Sequence, residues 1–388
     1  MIRKLAFGGL AALCAASFSD GAAAAFDCAG GAVTIGLARA KTGDFAFFDV
    51  AGARGLTIGV DQINAAGGID GCPIKLIEGD TQSNPAVTGQ VAEELIRGGA
   101  KIIIPPSDFD AGVGASIAAQ SAGLFSISPE ASSIPWTQAV KPNFFIGGMT
   151  EEDLGHSIAG FANKRGWDGA YIVTNTAYSF FTNQEKAFRA AFKGKVVGQD
   201  EVKDDASDYS AAVSKIRQAG AAVKVVFIND YFPHVGTFLK QLRAAGVTAV
   251  VLGNSTFSSP TLPDVVGAAG LQDVYYVTSA YYEGKDIDPG LAKMIAAYQA
   301  KFSTFPENLN SITAYQTALV LADALKAAGS TDATALTKAV LAQKDLKVPG
   351  TIYYAWGDRY PLVSATVVGF DSAGAFRQVD MLDPRTVK

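Results

Sequence analysis

The sequence predicts an α/β protein of two lobes, each built on a mostly parallel sheet covered by helices on both faces. The chain has 388 residues, a length that fits about two domains. Short apolar segments alternate with helical segments, and the apolar segments are continuous, as in parallel strands that are buried on both faces. This alternation starts again near residue 170, which indicates a second unit.

The first half of the chain contains four predicted strands and three predicted helices. Each strand is a short apolar run that ends at Gly, Asp or Pro turn residues. The predicted strands are 33–37, 74–77, 101–104 and 124–127. The predicted helices are 50–66, which stops at a Gly-Gly pair, then 85–97, which starts with Pro, and 112–121.

The second half repeats the pattern with six predicted strands and five predicted helices. The predicted strands are 170–174, 195–197, 223–228, 249–252, 274–277 and 363–370. The predicted helices are 181–192, 209–219, 232–245, 291–302 and 312–328. No Ser/Gly/Pro-rich linker separates the halves, so we expect several short hinge strands and a cleft between the lobes. Clefts between domains are common binding sites for small molecules.

Residues 1–25 have the three-part pattern of a secretory signal peptide. A basic start is followed by an apolar run over 5–18 and by small residues over 22–25. The alternative is a membrane anchor, but the run is too short to span a bilayer and ends at Ser17, Ser19 and Asp20. We therefore expect an exported protein of the periplasm that does not span the membrane.

Export to an oxidising compartment would decide whether the cysteines form a disulfide. Cys14 lies in the apolar run, and whether it is lipidated stays open, although Leu13 before it is bulky for a lipidation motif. Cys28 precedes the first strand and Cys72 precedes the second. If these strands are parallel neighbours, both cysteines lie at one sheet edge, and an oxidising compartment favours a disulfide between them. The alternative is two buried free thiols.

The composition and the motifs point away from nucleic-acid binding and from catalysis. The formal net charge is −5 and no block of basic residues occurs, which disfavours a nucleic-acid partner. The chain has only two histidines, so a zinc site or a His-dependent triad has few candidates. Gly112 and Gly114 resemble part of a dinucleotide loop, but Ile117 stands where a third Gly is required. We expect no catalytic residues, no cofactor and no metal.

Four segments together resemble the exported leucine/isoleucine/valine-binding protein family. The first contains a Thr-Gly loop, a helix and an Asn-x-x-Gly-Gly-Ile-x-Gly turn, and the third contains Ser-Pro-x-Ala-Ser. The segments are 42–71, 78–85, 127–132 and 314–330. The similarity covers essentially the whole chain after the signal peptide, in order.

The resemblance implies a type I periplasmic-binding fold, with two Rossmann-like lobes joined by three hinge strands and a ligand cleft between them. Lobe one would comprise 26–145 plus 280–352, and lobe two would comprise 146–279 plus 353–388. The resemblance also implies a solute-binding component of an ABC importer. Its partners would be a small-molecule solute, the membrane permease and the permease's ATPase subunits. We expect a monomer.

The resemblance assigns five ligand-binding positions to lobe one: Phe48, Asp110, Ala111, Glu130 and Ser132. Asp108, in the same loop as Asp110, is a further candidate. Phe48 would cover the ligand, Ser132 would donate its hydroxyl, and Glu130 could serve through its backbone. Asp110 and Ala111 stand where the family has a Ser pair, and a carboxylate there would repel a ligand carboxylate. Two alternatives stay open: Phe48 could belong to the core, and Asp108 and Asp110 could cap the following helix.

In lobe two, the resemblance assigns cleft positions to Tyr178, Tyr231 and Ser255. The acidic group that binds an α-ammonium in the family falls at Ser255, so this anchor is lost. An unpaired ammonium in a closed cleft is costly, which argues against a plain branched-chain amino acid. Phe48, Tyr178 and Tyr231 would suit a flat or apolar solute, such as an aromatic acid or a related small metabolite. Asp108 or Asp110 could instead select a hydroxylated or cationic solute.

Three other functions remain open at this point. The chain could be an exported ligand-sensing module for a receptor, an amino-acid binder with altered anchors, or an exported enzyme on a similar fold. Gene context would separate transport from sensing, because permease genes accompany a transporter and a histidine-kinase gene accompanies a sensor.

Overall fold

The structure is a computed structural model that describes residues 1, 26–28, 30–203 and 206–387. Residues 2–25 of the predicted signal peptide, with Cys14, lie outside the described residues. None of the helices in the described ranges is long and apolar enough to cross a membrane.

The first sheet has five parallel strands in the order β2-β1-β3-β4-β5. The strands are β1 (Val33–Arg39), β2 (Ile74–Asp80), β3 (Ile102–Ile104), β4 (Phe125–Ser128) and β5 (Phe144–Ile146). The helices between them are α1 (Ala46–Ala65), α2 (Pro85–Arg97), α3 (Phe109–Ser121) and α4 (Ile134–Ala139). The strand–helix alternation read from the sequence is confirmed here.

The second sheet has seven strands in the order β15-β14-β10-β9-β8-β6-β7, and a smaller sheet has the order β11-β12-β13. The strands are β6 (Gly169–Asn175), β7 (Lys195–Val202), β8 (Val225–Asn229), β9 (Val250–Gly253), β10 (Val274–Thr278), β11 (Leu346–Val348), β12 (Thr351–Trp356), β13 (Pro361–Val363), β14 (Ala365–Phe370) and β15 (Phe376–Leu382). The helices are α5 (Glu151–Lys164), α6 (Ser179–Ala191), α7 (Ser210–Ala219), α8 (His234–Ala244), α9 (Leu262–Val266), α10 (Pro289–Phe302), α11 (Leu309–Ala328) and α12 (Ala333–Ala342).

The chain passes three times between the two main sheets, which gives the two-lobed architecture that the sequence predicts. The first passage follows β5, the second follows β10, and the third lies between β13 and β14. After the second passage, α10 and α11 return to the first sheet and pack against α1. The lobe boundaries at 145, 279 and 352 stay a prediction.

Helix α1 packs unusually closely on α11 because two of its glycines face that helix. A Cβ atom on Gly55 would lie 1.8 Å from the carbonyl oxygen of Ser311, and one on Gly59 would lie 2.7 Å from the Cβ of Ala318. The absence of side chains at these positions lets the helices approach. This contact holds α1, whose first turn carries Phe48, against the rest of the lobe.

The disulfide between Cys28 and Cys72 is confirmed. The Cα atoms of the two residues are 5.6 Å apart, a normal distance for a disulfide. The strands that follow them, β1 and β2, are parallel neighbours, with Val33 opposite Ile74. The sheet register therefore brings the two cysteines to one edge, as the sequence argument requires.

Candidate ligand-binding site

The predicted site residues lie beyond the carboxyl ends of parallel strands in both sheets. This is the edge at which open α/β sheets bind ligands. In the first sheet, residues 105–111 follow β3 and residues 129–132 follow β4, while Phe48 lies in the first turn of α1. In the second sheet, Tyr178 follows β6, and Tyr231 follows β8.

The structure brings the two predicted tyrosines of lobe two together. The ring centroids of Tyr178 and Tyr231 are 6.3 Å apart, with an interplanar angle of 78°. The ring of Phe181 stacks on Tyr231 at 6.2 Å and 10°, which supports the pair from one side. Tyr178 is 43% exposed, so this aromatic cluster presents ring surface to solvent.

The buried carboxylate of Asp230 fixes the backbone next to both tyrosines through hydrogen bonds. Asp230 Oδ1 accepts hydrogen bonds from the Asn175 side-chain amide and from the backbone N–H of Tyr231, each at 2.9 Å. The Tyr209 hydroxyl donates to Asp230 Oδ2 at 2.6 Å. The side-chain oxygen of Asn175 in turn accepts from the N–H of Ala177 at 3.0 Å, next to Tyr178. Burial, followed by this bond to Asp230, raises the pKa of Tyr209 well above its ordinary value.

In lobe one, the aromatic residues of the first loop are on the surface and not in the core. Phe47 is 58% exposed and Phe48 is 39% exposed, with their ring centroids 5.2 Å apart. Helix α1 begins at Ala46, earlier than the predicted start at residue 50, because the apolar run over 45–48 hides the helical periodicity. Phe48 is therefore not a core residue, and its role in covering a ligand stays a prediction.

Asp108, and not Asp110, caps helix α3. The Asp108 side chain accepts a hydrogen bond from the N–H of Ala111 at 3.1 Å, so the helix begins at Phe109 and not near residue 112. Burial raises the pKa of Asp108, and the bond from Ala111 partly offsets that rise. Asp110 lies exposed in the first turn of the helix. The backbone N–H of Ala111, a predicted ligand-binding position, donates to the Asp108 side chain in this cap.

The side chain of Glu130 is engaged inside lobe one. Both of its oxygens accept from the guanidinium of Arg39, each at 2.9 Å, and the same guanidinium lies 3.0 Å from Asp49. Burial raises the pKa of Glu130, while Arg39 acts in the opposite direction. For Arg39, burial favours a lower pKa, but Asp49 and Glu130 together raise it. We call Arg39, Asp49 and Glu130 the ion triad.

Ser132 is joined to the start of α5 by Glu151, a residue that the sequence reading missed. The Ser132 carbonyl accepts from the Glu151 N–H at 3.3 Å, and the Ser132 side chain is hydrogen-bonded to the Glu151 carboxylate. That carboxylate also accepts from the Asn183 amide at 2.8 Å. Glu151 is only 3% exposed, and burial raises its pKa despite the bond from Asn183.

Ser255 begins a single 3-10 turn, capped by the side chain of Asn254, which accepts from the N–H of Thr256 at 2.9 Å. The carboxylate of Glu283 contacts the loop that contains Ser255 and Ser258. Glu283, in the passage after β10, accepts from the hydroxyl of Ser258 and from the hydroxyl of Tyr276, the latter at 3.1 Å. Burial raises the pKa of Glu283, and the bond from Ser258 opposes that rise.

The residues that sequence reasoning missed fall into two groups. Arg39, Asn175 and Asp230 stand at or just after the end of an apolar strand, and that position is a signal that could have identified them. Glu151 and Glu283 have no such signal, because their partners come from distant segments. Within residues 26–28, 30–203 and 206–387, no group of three His, Cys, Asp or Glu side chains is placed to hold a metal ion.

Comparison with known proteins gives consistent matches over most of the chain. A family model described as "Periplasmic binding protein" matches residues 32–374. Leu/Ile/Val-binding protein homolog 3 of Brucella melitensis is 27% identical over 328 residues, which cover 83% of this chain and 87% of that protein.

Two solved structures share the fold. One is the substrate binding protein LivJ of a branched-chain amino acid transporter from Streptococcus pneumoniae, in complex with isoleucine. It has a TM-score of 0.74 at 22% identity and covers 90% of this chain and 99% of its own. The other is an ABC transporter solute binding protein from R. palustris in complex with benzoate. It has a TM-score of 0.70 at 20% identity and covers 90% of this chain and 96% of its own.

Proposed function

Since this chain belongs to the periplasmic binding protein family, we propose that it closes its two lobes on a small aromatic or apolar metabolite and delivers it to an ABC permease. Membership confirms the resemblance to the leucine/isoleucine/valine-binding proteins. The finer statements are part of the proposal: the class of solute, periplasmic location after removal of 1–25, a monomeric state, and the permease with its ATPase subunits as partners. The proposal assigns binding and no catalysis.

The observation that carries the solute class is the aromatic cluster of Tyr178, Tyr231 and Phe181. Aromatic rings in offset or edge-on contact hold flat apolar groups through area burial and through ring–ring attraction worth about 0.5–1.5 kcal/mol a pair. The partly exposed ring of Phe48 on the other lobe is suited to cover the second face of such a solute. A related fold that binds benzoate supports this class.

The carboxylates around the lobe-one loops argue against a solute held only by its own carboxylate. Asp108 is half-buried in the loop, Asp110 is exposed two residues later, and the buried Glu151 is hydrogen-bonded to Ser132. Like charges brought together in a poorly solvated site repel each other. A solute whose polar group is neutral or cationic therefore fits this loop better than an amino-acid carboxylate does.

Glu283 favours a second candidate, an amino-acid binder with an altered anchor. The sequence lacks an acidic residue at Ser255, but the carboxylate of Glu283 contacts Ser258 in the same loop. A carboxylate at this place could pair with an ammonium group of the solute. This candidate predicts that Glu283→Gln weakens the binding of leucine or isoleucine and leaves the binding of benzoate unchanged.

A thermal-shift screen of the mature protein separates the candidates. The panel contains leucine, isoleucine, benzoate, 4-hydroxybenzoate, benzylamine and putrescine, because a ligand that binds the folded state raises the melting temperature by mass action. We expect the largest rise from ring-containing solutes, with benzylamine above benzoate. A large rise with leucine alone would refute the proposed solute class and favour the second candidate. Calorimetric titration of the best ligand then measures its affinity.

A further inference from the structure

The ion triad lies beneath the loops that carry the lobe-one half of the candidate site. Its side chains are almost fully enclosed: the exposed fraction is 3% for Arg39, 0% for Asp49 and 3% for Glu130. Each member stands on a different part of the lobe, namely the end of β1, the first turn of α1 and the segment after β4.

The hydrogen bonds of the ion triad hold three segments near the site. Asp49 Oδ2 accepts from the N–H of Ala40 at 2.8 Å, and Asp49 Oδ1 accepts from the N–H of Ser107 at 2.9 Å. Arg39 donates to the carbonyl oxygen of Pro105 at 2.9 Å and holds Glu130 with two parallel bonds. The segments 40–48, 105–111 and 129–132 are thus fixed to one another by the Asp49 carboxylate and by the Arg39 guanidinium that it contacts.

Directional bonds and close packing together hold these side chains. Two parallel bonds from a guanidinium to a carboxylate fix the orientation of both groups as well as their distance. The pair also leaves no spare room beside α1, because a Cβ on Gly52 would lie 2.0 Å from Glu130 Oε1 and 2.6 Å from Arg39 Nη2.

We propose that the ion triad of Arg39, Asp49 and Glu130 is the positioning element of the lobe-one site, setting the relative placement of its three loops without contacting the solute. This inference rests on the proposed function, because the three loops carry Phe48, Asp108 and Ser132. In a binding protein, loops already held in the bound arrangement lower the entropic cost of association, so the triad contributes to affinity.

Amide hydrogen exchange in the ligand-free mature protein tests the positioning role. Asp49→Asn keeps one acceptor oxygen and replaces the other by a donor, so it should speed exchange at Ala40 or at Ser107 by roughly 10- to 100-fold. Glu130→Gln should speed exchange in 129–132 and leave Ala40 unchanged. Arg39→Lys keeps the charge but loses the planar fork, so it should affect all three segments to a smaller degree. The same acceleration throughout the protein, or none at Ala40 and Ser107, would overturn the proposal.

Arg243→Met is the matched control. Arg243 is a half-buried arginine that donates to backbone carbonyls, including those of Val247 and Ala249 at 2.9 Å each, just before β9 and away from the candidate site. Its loss should lower stability without changing exchange in the three segments.

Binding of benzoate and of isoleucine, measured well below each melting temperature, completes the test. For whichever of the two probes the wild type binds, Arg39→Lys and Gly52→Ala should each lower the affinity by roughly 10-fold. Arg243→Met should leave that affinity unchanged. Equal weakening by Arg243→Met would overturn the proposal, because affinity would then follow overall stability. If wild type binds neither probe nor any other panel member, the proposed function fails, whereas the exchange pattern still decides whether the triad positions the loops.

Discussion

The ring of Tyr178 meets the ring of Tyr231 edge-on, with centroids 6.3 Å apart, although the two residues follow different strands of the second sheet. A single buried carboxylate, Asp230, anchors the backbone beside both rings through Asn175 and the Tyr231 N–H. Hydrogen bonds at the ends of β6 and β8 therefore hold the two rings of this exposed aromatic surface in place.

Replacing Tyr178 by Ala should weaken solute binding about 10-fold, since a lost ring contact of roughly 1–1.5 kcal/mol corresponds to that factor. Calorimetric titration with the best ligand of the panel measures the change. The melting temperature should barely move, because Tyr178 is 43% exposed. Leu341→Ala on α12, a residue 41% exposed and outside the aromatic cluster, is the control and should leave affinity unchanged. Equal affinities of wild type and Tyr178→Ala would remove this ring from the site.

Tyr209→Phe should lower the free energy of unfolding by about 1.5–3 kcal/mol, because it removes a hydrogen bond to the buried carboxylate of Asp230. Urea unfolding monitored by circular dichroism gives the value. Tyr315→Phe is the matched control: its hydroxyl donates to the neutral Gln62 side chain at 2.9 Å, so the cost should be about 0.5–1.5 kcal/mol. If both variants lose the same stability, the bond from Tyr209 to Asp230 contributes no more than a bond to a neutral amide.

Removing the disulfide by Cys28→Ser together with Cys72→Ser should cost about 4 kcal/mol on the chain-entropy model for a crosslink. The two cysteines are 44 residues apart, so the bond restricts a long segment of the unfolded chain. Unfolding with and without reductant measures the effect. The double variant should be insensitive to reductant, and a wild type that is equally insensitive would mean that the bond contributes nothing.

Glu283→Gln should change how stability depends on pH. The pKa of Glu283 is raised above its ordinary 4.5, so the folded state binds more protons than the unfolded state between these two values. The wild-type contribution of this group is therefore complete below about pH 4.5 and falls as the pH rises through the folded pKa. The difference in unfolding free energy, variant minus wild type, should grow with pH across that window. A pH-independent difference contradicts the raised pKa.

Gly55→Ala should destabilise the protein by several kcal/mol, of the order of overpacking a rigid core, because its Cβ would meet the carbonyl of Ser311 at 1.8 Å. Gly89→Ala is the control in α2. There the new Cβ would lie 3.5 Å from its nearest neighbour, so the change should be neutral or stabilising by roughly 0.5–1 kcal/mol. Thermal unfolding of both variants distinguishes close helix packing from a general effect of glycine. If the two variants have the same stability, close packing of α1 on α11 does not require Gly55.

Local patterns were enough to predict the elements whose signal is contained within a few residues. The apolar strands, the helix at Pro85 and the cysteine pair next to β1 and β2 follow from such patterns. The strands β11 to β13 were missed because β11 and β13 have only three residues each, and β12 is defined by its antiparallel pairing with both of them. The early start of α1 was missed because the exposed Phe47 and Phe48 interrupt the amphipathic period, and that of α3 was missed because Phe109 enters the helix directly after the cap at Asp108.

The sequence by itself determined the two-lobed α/β class, the disulfide and the placement of Phe48, Tyr178 and Tyr231 at strand or helix ends. These features depend on local periodicity, on spacing and on the rule that parallel strands end at one edge. Only the tertiary structure decided what surrounds those residues. In the folded chain, Glu130 is paired with Arg39, and Asp108 caps α3. Glu283 accepts a hydrogen bond from Ser258, in the loop that also contains Ser255. A buried charge takes whichever partner the folded chain brings within hydrogen-bonding distance, and that choice is not written in its sequence neighbours.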